Sequence, residues 1–267
     1  MTPHLIVTDL DRTLLNASHG LDDITVATFR ALERQGHHLA LASGRHYRDI
    51  CEVRRQLGVR AHIISANGAH LYSADDTLMH EHLVASDIVR SLLEMEVPDA
   101  IRVNLYTSDR WLIDAEEAAL LAFHESTGFT YDVVDMTSLS GEDVGKVLFI
   151  GEPSLLTSIE TRIRANFESR AHITYSLENS LEVMDLRASK GQMLERLSAL
   201  LKVDMHHTVA FGDNLNDTDM LQKAGQAFAV ANAHPRLLLN ATNATVIESH
   251  VEAGVARRLR SLFQLDH

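Results

Sequence analysis

The 267-residue sequence is poor in cysteine, proline and aromatic residues, and it has no long apolar run. Cys51 is its single cysteine, so the chain has no disulfide framework, and we expect a reducing, cytoplasmic location. No stretch approaches the roughly 18 consecutive apolar residues of a membrane span. The first residues do not show a basic region followed by an apolar segment, so we expect neither a membrane anchor nor a secretory signal.

Positive charge is also scarce, because 24 Lys and Arg residues stand against 37 Asp and Glu residues, for a formal charge of −13. This balance argues against non-specific nucleic-acid binding, which needs a basic surface. If the substrate is itself an anion, the protein must neutralise it locally with a metal ion or a few placed cations. The apolar content of 45% is sufficient for a sizeable core, in one large or two smaller domains.

Apolar segments of strand length alternate with amphipathic segments of helix length at both ends of the chain. The strands HLIVTD, HHLALAS and AHIIS are separated by helical patterns that end at Gly36 and Gly58. This alternation predicts an α/β fold with a doubly wound, Rossmann-like parallel sheet. The middle of the chain contains two apparent hairpins with intervening helices, which predicts an inserted α+β cap domain. We expect the core to comprise residues 1–80 and 185–267, and the cap residues 81–184.

Two aspartates, Asp9 and Asp11, follow the first predicted strand. Residues at i and i+2 project to the same side while the chain is extended, and ligands of open parallel sheets bind beyond the carboxyl ends of strands. One carboxylate could attack a substrate while the other transfers a proton, or both could hold a hard cation. Alternatively, Asp11 caps a turn and Asp9 is a solvated strand end.

A second group of oxygen-bearing side chains follows the later strand HTVAF, in the segment FGDNLNDTDM. Some of these residues could cap the next helix, but capping needs only one side chain. Asp213 should lie on the same sheet edge as Asp9 and Asp11. Together these groups predict an all-oxygen site suited to Mg2+.

Phosphate-binding groups are indicated by LASGRH and by Lys190. Ser43 and the backbone N–H groups of Gly44 and Arg45 could cradle a phosphate at a helix N-terminus, or Ser43 could be an ordinary N-cap. The Arg45 side chain could touch substrate or cover the surface. Lys190 begins a predicted helix, where a cation is unfavourable, so nearby anions are expected to hold it. Asn67, at the end of the third strand, is a candidate for substrate contact or a simple turn residue.

In order, DLDRTLL, LASGRH, Lys190 and GDNLND resemble the four motifs of the haloacid dehalogenase-like superfamily of phosphatases. The size and position of the insertion resemble the Cof-like branch, which carries a large α/β cap. The resemblance covers essentially the whole chain, and within the branch the chain is similar to bacterial sugar-phosphate and pyridoxal-phosphate phosphatases.

The resemblance implies a role for each matched residue. Asp9 would be the nucleophile, forming an aspartyl-phosphate and binding Mg2+. Asp11 would be the general acid and base, with its backbone carbonyl on the metal. Ser43 and Gly44 would hold the phosphoryl group, and Lys190 would neutralise charge.

The last motif carries three further implied roles. Asp213 would complete the metal site. Asn216 would contact phosphate, and Asp217 would orient Lys190 or a metal-bound water.

The resemblance therefore implies a Mg2+-dependent phosphatase that hydrolyses small phosphorylated metabolites, such as sugar phosphates or pyridoxal phosphate. A phosphomutase of the same superfamily and a catalytically silent regulatory module remain alternatives. Arg12 departs from the family pattern, which usually has glycine there. Its side chain could face solvent, pair with an acidic residue, or reach the mouth of the cleft and influence substrate choice.

Overall fold

The computed structural model describes residues 2–122, 124 and 127–265, and these form two β-sheets with helices packed against them. The described strands are β1 Leu5–Thr8, β2 His38–Ala42, β3 Ala61–Ser65, β4 His70–Tyr72, β5 Leu78–Glu81, β6 Arg102–Tyr106, β7 Trp111–Ile113, β8 Asp132–Val133, β9 Lys146–Ile150, β10 Ala171–Leu177, β11 Ser180–Asp185, β12 Thr208–Gly212, β13 Gln226–Val230 and β14 Thr245–Ile247. The described α-helices are α1 Asp23–Arg34, α2 Tyr47–Leu57, α3 Ser86–Leu93, α4 Ala118–Ala122, α5 Pro153–Phe167, α6 Lys190–Leu201, α7 Thr218–Lys223, α8 Pro235–Asn240 and α9 Gly254–Phe263.

The first sheet has the strand order β14-β13-β12-β1-β2-β3-β4-β5. The six strands from β14 to β3 are parallel, and β4 and β5 add an antiparallel edge. The doubly wound core expected from the sequence is therefore confirmed. The antiparallel edge was not predicted, because the β5 sequence LMHE is short and half-exposed, with no apolar alternation to mark it.

Helices cover both faces of the first sheet, as its buried strands require. Along β1, Ile6 packs into one apolar cluster with Phe29 of α1 and Leu259 of α9. Leu5 and Val7 pack into a second cluster, which contains residues of α6, α7 and α8. The alternation follows from the two-residue period of a strand. All three β1 residues are fully buried, so the core fixes where the carboxyl end of β1 lies.

The second sheet has the strand order β10-β11-β9-β6-β7-β8 and is formed by the middle of the chain. The two hairpins expected from the sequence are present: β6 pairs with β7, and β10 pairs with β11, both antiparallel. Val103, Phe149 and Leu181 pack with residues of α3 and α5 in a separate apolar cluster. An α+β unit with its own core is thus inserted between β5 and α6.

Among the described residues, no helix combines the length and the apolar character needed to cross a membrane.

Candidate active site

The central strands of the first sheet bring two of the predicted site residues together. β1 and β12 are parallel neighbours, with Thr8 in register with Phe211, and the backbone N–H of Asp9 donates to the Phe211 carbonyl at 3.0 Å. Asp9 follows β1 and Asp213 follows β12. The strand order also changes direction at this point, which is where open α/β sheets bind ligands.

Three carboxylates meet at this point, Asp9, Asp213 and Asp217. One oxygen from each lies within 4.8 Å of the others, and all three residues are buried. Oxygen donors of this kind, converging without nitrogen or sulfur ligands, are those that Mg2+ prefers. Asp217, which the resemblance placed in a supporting role, thus offers the third carboxylate.

Lys190 is the cation in contact with this cluster. It is the first residue of α6 and is fully buried. Its Nζ donates to Oδ1 of Asp9 and to Oδ1 of Asp217, each at 2.6 Å. The expectation that anions hold this lysine at a helix N-terminus is thus met by two carboxylates. One ammonium group cannot balance three ionised carboxylates, so full ionisation of the cluster requires a further cation.

The electrostatics of the cluster follow from burial and from the crowding of like charges. Burial raises the pKa of Asp9 well above its usual range, although Lys190 opposes the shift and Asp217 adds to it. Burial and the neighbouring Asp217 raise the pKa of Asp213 to about 7. Burial alone would lower the pKa of Lys190, but Asp217 and Asp9 raise it above its ordinary value. Lys190 therefore stays charged, while the carboxylates need a cation to ionise fully.

Asp217 is held by the turn that follows β12. Its Oδ2 accepts hydrogen bonds from the backbone N–H groups of Asp213 at 2.9 Å and Asn214 at 3.1 Å. Gly212 leaves room for this side chain, because a Cβ at position 212 would lie 2.5 Å from the Asp217 Cβ. The Asp217 carboxylate thus fixes the loop carrying Asp213 and also binds Lys190.

Asp11 lies apart from this carboxylate cluster. The chain turns after Asp9, and two residues inside the turn Leu10–Leu14 are non-helical: Asp11 because of its ψ of 123°, and Arg12 because of its φ of 60°. The Asp11 carboxylate accepts from Arg45 Nε at 2.8 Å and Arg45 Nη2 at 2.5 Å. The prediction that both carboxylates could hold one cation is therefore wrong for the Asp11 side chain, because the chain does not stay extended. A metal contact through the Asp11 carbonyl remains a prediction.

Arg45 is an internal residue, only 7% exposed. Besides Asp11, its guanidinium donates to Oδ2 of Asp49 at 3.1 Å, and the Asp49 side chain is fully buried. The alternative in which Arg45 covers the surface is therefore wrong. Its buried position, with Asp11 on one side and Asp49 on the other, makes Arg45 the residue that holds Asp11 in this structure.

The predicted phosphate loop precedes α2, but its hydrogen bonds differ from those expected. His46, not Ser43, is the N-cap of α2, and its ring accepts the Arg48 N–H. Ser43 Oγ accepts the Arg45 N–H at 3.2 Å, so that N–H is not free. Within the described part of the chain, the Gly44 N–H has no acceptor. The Gly44 N–H and the Ser43 hydroxyl remain available to a phosphate.

Asn67 and Asn216 belong to a buried polar network that sequence reasoning did not find. Asn67 accepts from Asn216 Nδ2 at 2.9 Å and donates to Glu182 Oε2 at 2.6 Å. Lys146 donates to Glu182 Oε1 at 2.9 Å and to the Gly44 carbonyl at 2.8 Å. This network joins β9 and β11 of the second sheet to the phosphate loop. The available signal was a charged residue next to apolar ones in each strand, Lys146 in KVLFI and Glu182 in SLEVMD.

Comparisons with known proteins place these features in a family. A model of the haloacid dehalogenase-like hydrolases matches residues 6–259. A Haemophilus influenzae protein, provisionally named a phosphatase, is 35% identical over 98% of this chain and 97% of its own. The HMP-PP phosphatase of Cronobacter sakazakii is 29% identical over 97% of this chain and 94% of its own.

The fold is also that of solved structures. A haloacid dehalogenase-like hydrolase from Bacteroides thetaiotaomicron superposes with a TM-score of 0.86 at 23% identity, over 98% of this chain and 100% of that one. The family resemblance carried by the four motifs is confirmed, as is the expectation of an enzyme. The chain belongs to the haloacid dehalogenase-like hydrolases.

Proposed function

We propose that this enzyme is a Mg2+-dependent phosphatase that hydrolyses small phosphorylated metabolites through an aspartyl-phosphate on Asp9. The observation that carries the proposal is the buried Asp9 carboxylate, held through Oδ1 by Lys190 and flanked by Asp213 and Asp217. No hydrogen bond from the described residues reaches Asp9 Oδ2, which leaves that oxygen for attack. The chain divides, in this proposal, into a core of residues 1–80 and 185–267 and a cap of residues 81–184.

Mg2+ would be held by Asp9, Asp213 and Asp217, and it would supply positive charge against the phosphoryl oxygens. Phosphoryl transfer depends mainly on positioning and on stabilising charge spread over those oxygens. Lys190, the Gly44 N–H and the Ser43 hydroxyl supply the chain's own part of that stabilisation. Asn216 lies beside them through its bond to Asn67 and could contact the phosphate.

In the first step, Asp9 Oδ2 forms a bond to phosphorus while the bond from phosphorus to the leaving oxygen breaks. Asp11, as the acid, gives its proton to that oxygen. In the second step, water attacks phosphorus, Asp11 accepts a proton from it, and the bond from phosphorus to Asp9 Oδ2 breaks, which restores the Asp9 carboxylate and releases inorganic phosphate. Because Asp11 is bound to Arg45 in this structure, it must exchange Arg45 for the leaving group in order to act.

The test is phosphate release by the purified chain from a panel of phosphorylated metabolites, with Mg2+ or with EDTA. The panel includes sugar phosphates, pyridoxal phosphate and HMP-PP, which appears in the names of two relatives. We expect release that needs Mg2+ and is absent in Asp9→Asn. An isomerised sugar phosphate without free phosphate would instead identify a phosphomutase. If the folded chain releases no phosphate from any of these compounds, the proposal is wrong.

A further inference from the structure

A cavity of about 690 Å3 lies between the second sheet's unit and the loops at the carboxyl end of the first sheet. Asp213 forms part of its wall, so the cavity reaches the acidic cluster. The opposite wall comes from α5 and from residues 175–178, where β10 turns toward β11. The volume is within the range of about 300–1,000 Å3 that is common for small-molecule sites. The cavity is therefore suited to the part of a substrate that lies beyond the reacting phosphoryl group.

Two arginines, Arg12 and Arg236, line this cavity. For the part of the chain that the structure describes, neither guanidinium takes part in a hydrogen bond or an ion pair; their hydrogen bonds are through the backbone, and the Arg12 charge opposes the rise that burial causes in the pKa of Asp213. Other exposed cations in the described part of the chain, such as Arg34, also have no ion pair, but Arg12 and Arg236 share the wall of one cavity that reaches the acidic cluster. Two guanidinium groups on one wall next to the acidic cluster offer paired, planar hydrogen-bond donors to an external anion.

The Arg12 backbone conformation is suited to a different residue. Its φ of 60° is in the left-handed region, which costs a side chain about 1–2 kcal/mol relative to glycine. Asn232 donates from Nδ2 to the Arg12 carbonyl at 2.8 Å and so fixes the turn. Glycine would adopt this backbone conformation at a lower energy than arginine does. Arg12 is exposed, and within the described residues it lines this cavity and is in no ion pair.

The acidic groups of the cavity do not cancel these two cations. Glu160 is already paired with Arg164 at 2.7 Å, and Asp213 belongs to the proposed Mg2+ site. Glu178 is the remaining carboxylate in the wall. Apart from Asp213 and the Glu160 carboxylate paired with Arg164, the wall of the cavity therefore carries two arginines and one carboxylate.

A second cavity, of about 530 Å3, also reaches the site, through Asn67 and Asn216. Its cationic side chains are already paired. Arg164 binds Glu160 and Glu168, and Lys223 binds Glu195. Of the two cavities, the one lined by Arg12 and Arg236 is therefore the better suited to bind an anion.

We propose that Arg12 and Arg236 bind a second anionic group, a phosphate or a carboxylate, on the leaving-group side of the substrate. The inference rests on the proposed phosphatase function and narrows its substrates to phosphorylated metabolites with two anionic groups. The phosphoryl group that is transferred would lie at Asp9, and the second anion would lie in the cavity. Planar guanidinium groups suit either anion, because both accept paired hydrogen bonds.

The experiment compares kcat/KM within two matched substrate pairs. Glycerol 3-phosphate and 3-phosphoglycerate differ by a carboxylate, and benzyl phosphate and benzyl diphosphate differ by a phosphate. The variants are Arg12→Gly/Arg236→Gln and, as a control, Arg34→Gln, which removes an exposed charge from α1 outside the cavity. Glycine fits the backbone at position 12, so the double variant should fold.

We expect the wild type to have the higher kcat/KM for the more anionic member of at least one pair. In the double variant, the ratio of the two kcat/KM values in that pair should fall about tenfold. The Arg34→Gln control should keep the wild-type ratio. If the ratio falls only for the glycerol 3-phosphate pair, the second group is a carboxylate; if it falls only for the benzyl phosphate pair, the second group is a phosphate. An unchanged preference in the double variant, with turnover retained, would overturn this inference and leave the phosphatase proposal intact. No turnover of any substrate by the wild type would overturn both.

Discussion

Replacing Asp213 with asparagine should stabilise the metal-free protein at high pH while removing its response to Mg2+. Asp213 is buried next to Asp217, and its pKa is raised from 3.8 to about 7. The folded state holds the Asp213 proton more tightly than the unfolded state does. The contribution of Asp213 to the free energy of unfolding is therefore greatest below pH 4 and falls as the pH rises to 7. Above pH 7 the ionised carboxylate is a net cost to the fold.

The size of the effect follows from the shift. Three pKa units at about 1.4 kcal/mol each set an upper limit of about 4 kcal/mol. Asparagine weakens the hydrogen bond from Thr13 Oγ1, which Asp213 accepts at 3.1 Å, and this costs about 1 kcal/mol. We expect a net gain of about 1–3 kcal/mol at pH 8 in EDTA. For a chain of this size the Tm should rise by about 2–8 °C.

The assay is thermal or urea unfolding at pH 4 and pH 8, with EDTA or Mg2+. Asp75→Asn is the control, because Asp75 is exposed and pairs with the exposed Arg60, where an ion pair contributes about 0–1 kcal/mol. Wild type should gain stability from Mg2+ at pH 8 by mass action, and Asp213→Asn should not. A variant that is less stable than wild type in EDTA at pH 8, or that still gains from Mg2+, would refute the reasoning.

Two other substitutions test the remaining polar groups. Glu182→Ala leaves the buried Lys146 ammonium without its carboxylate, and we expect it to lower the free energy of unfolding by about 3–5 kcal/mol. The double variant Lys146→Met/Glu182→Leu should lose less in urea unfolding, and a larger loss would show that the pair itself stabilises the fold. Asp11→Asn should slow hydrolysis of sugar phosphates by about 10²–10⁴-fold. It should slow formation of the aspartyl-phosphate from p-nitrophenyl phosphate much less, since that leaving group departs without a proton; equal slowing of this first step for both substrates would contradict a role for Asp11 as the acid.

The sequence was sufficient where a short-range rule determines a residue's place. Apolar strands ending in aspartate placed Asp9 and Asp213 at one edge, because parallel strands of a doubly wound sheet end on the same side. Lys190 at a helix start indicated nearby anions, and the structure shows two. These predictions needed only strand order and charge.

Predictions failed where the outcome depended on a turn or on a distant strand. The Asp11 carboxylate was expected beside Asp9, but it pairs with Arg45, which lies 34 residues further along the chain. Lys146 and Glu182 were missed because they reach the phosphate loop from the second sheet, at a sequence separation of 102 residues between Lys146 and Gly44. No local pattern encodes such a contact.

The central claim is that Asp9 carries the phosphoryl group during turnover. The measurement is rapid acid quenching of the enzyme mixed with Mg2+ and p-nitrophenyl phosphate, followed by peptide mapping by mass spectrometry. We predict a phosphorylated peptide containing residues 5–12, modified at Asp9, which forms before steady-state phosphate release and is absent from Asp9→Asn. Steady phosphate release with no phosphoryl group on Asp9 at any quench time, or full turnover by Asp9→Asn, would contradict the account.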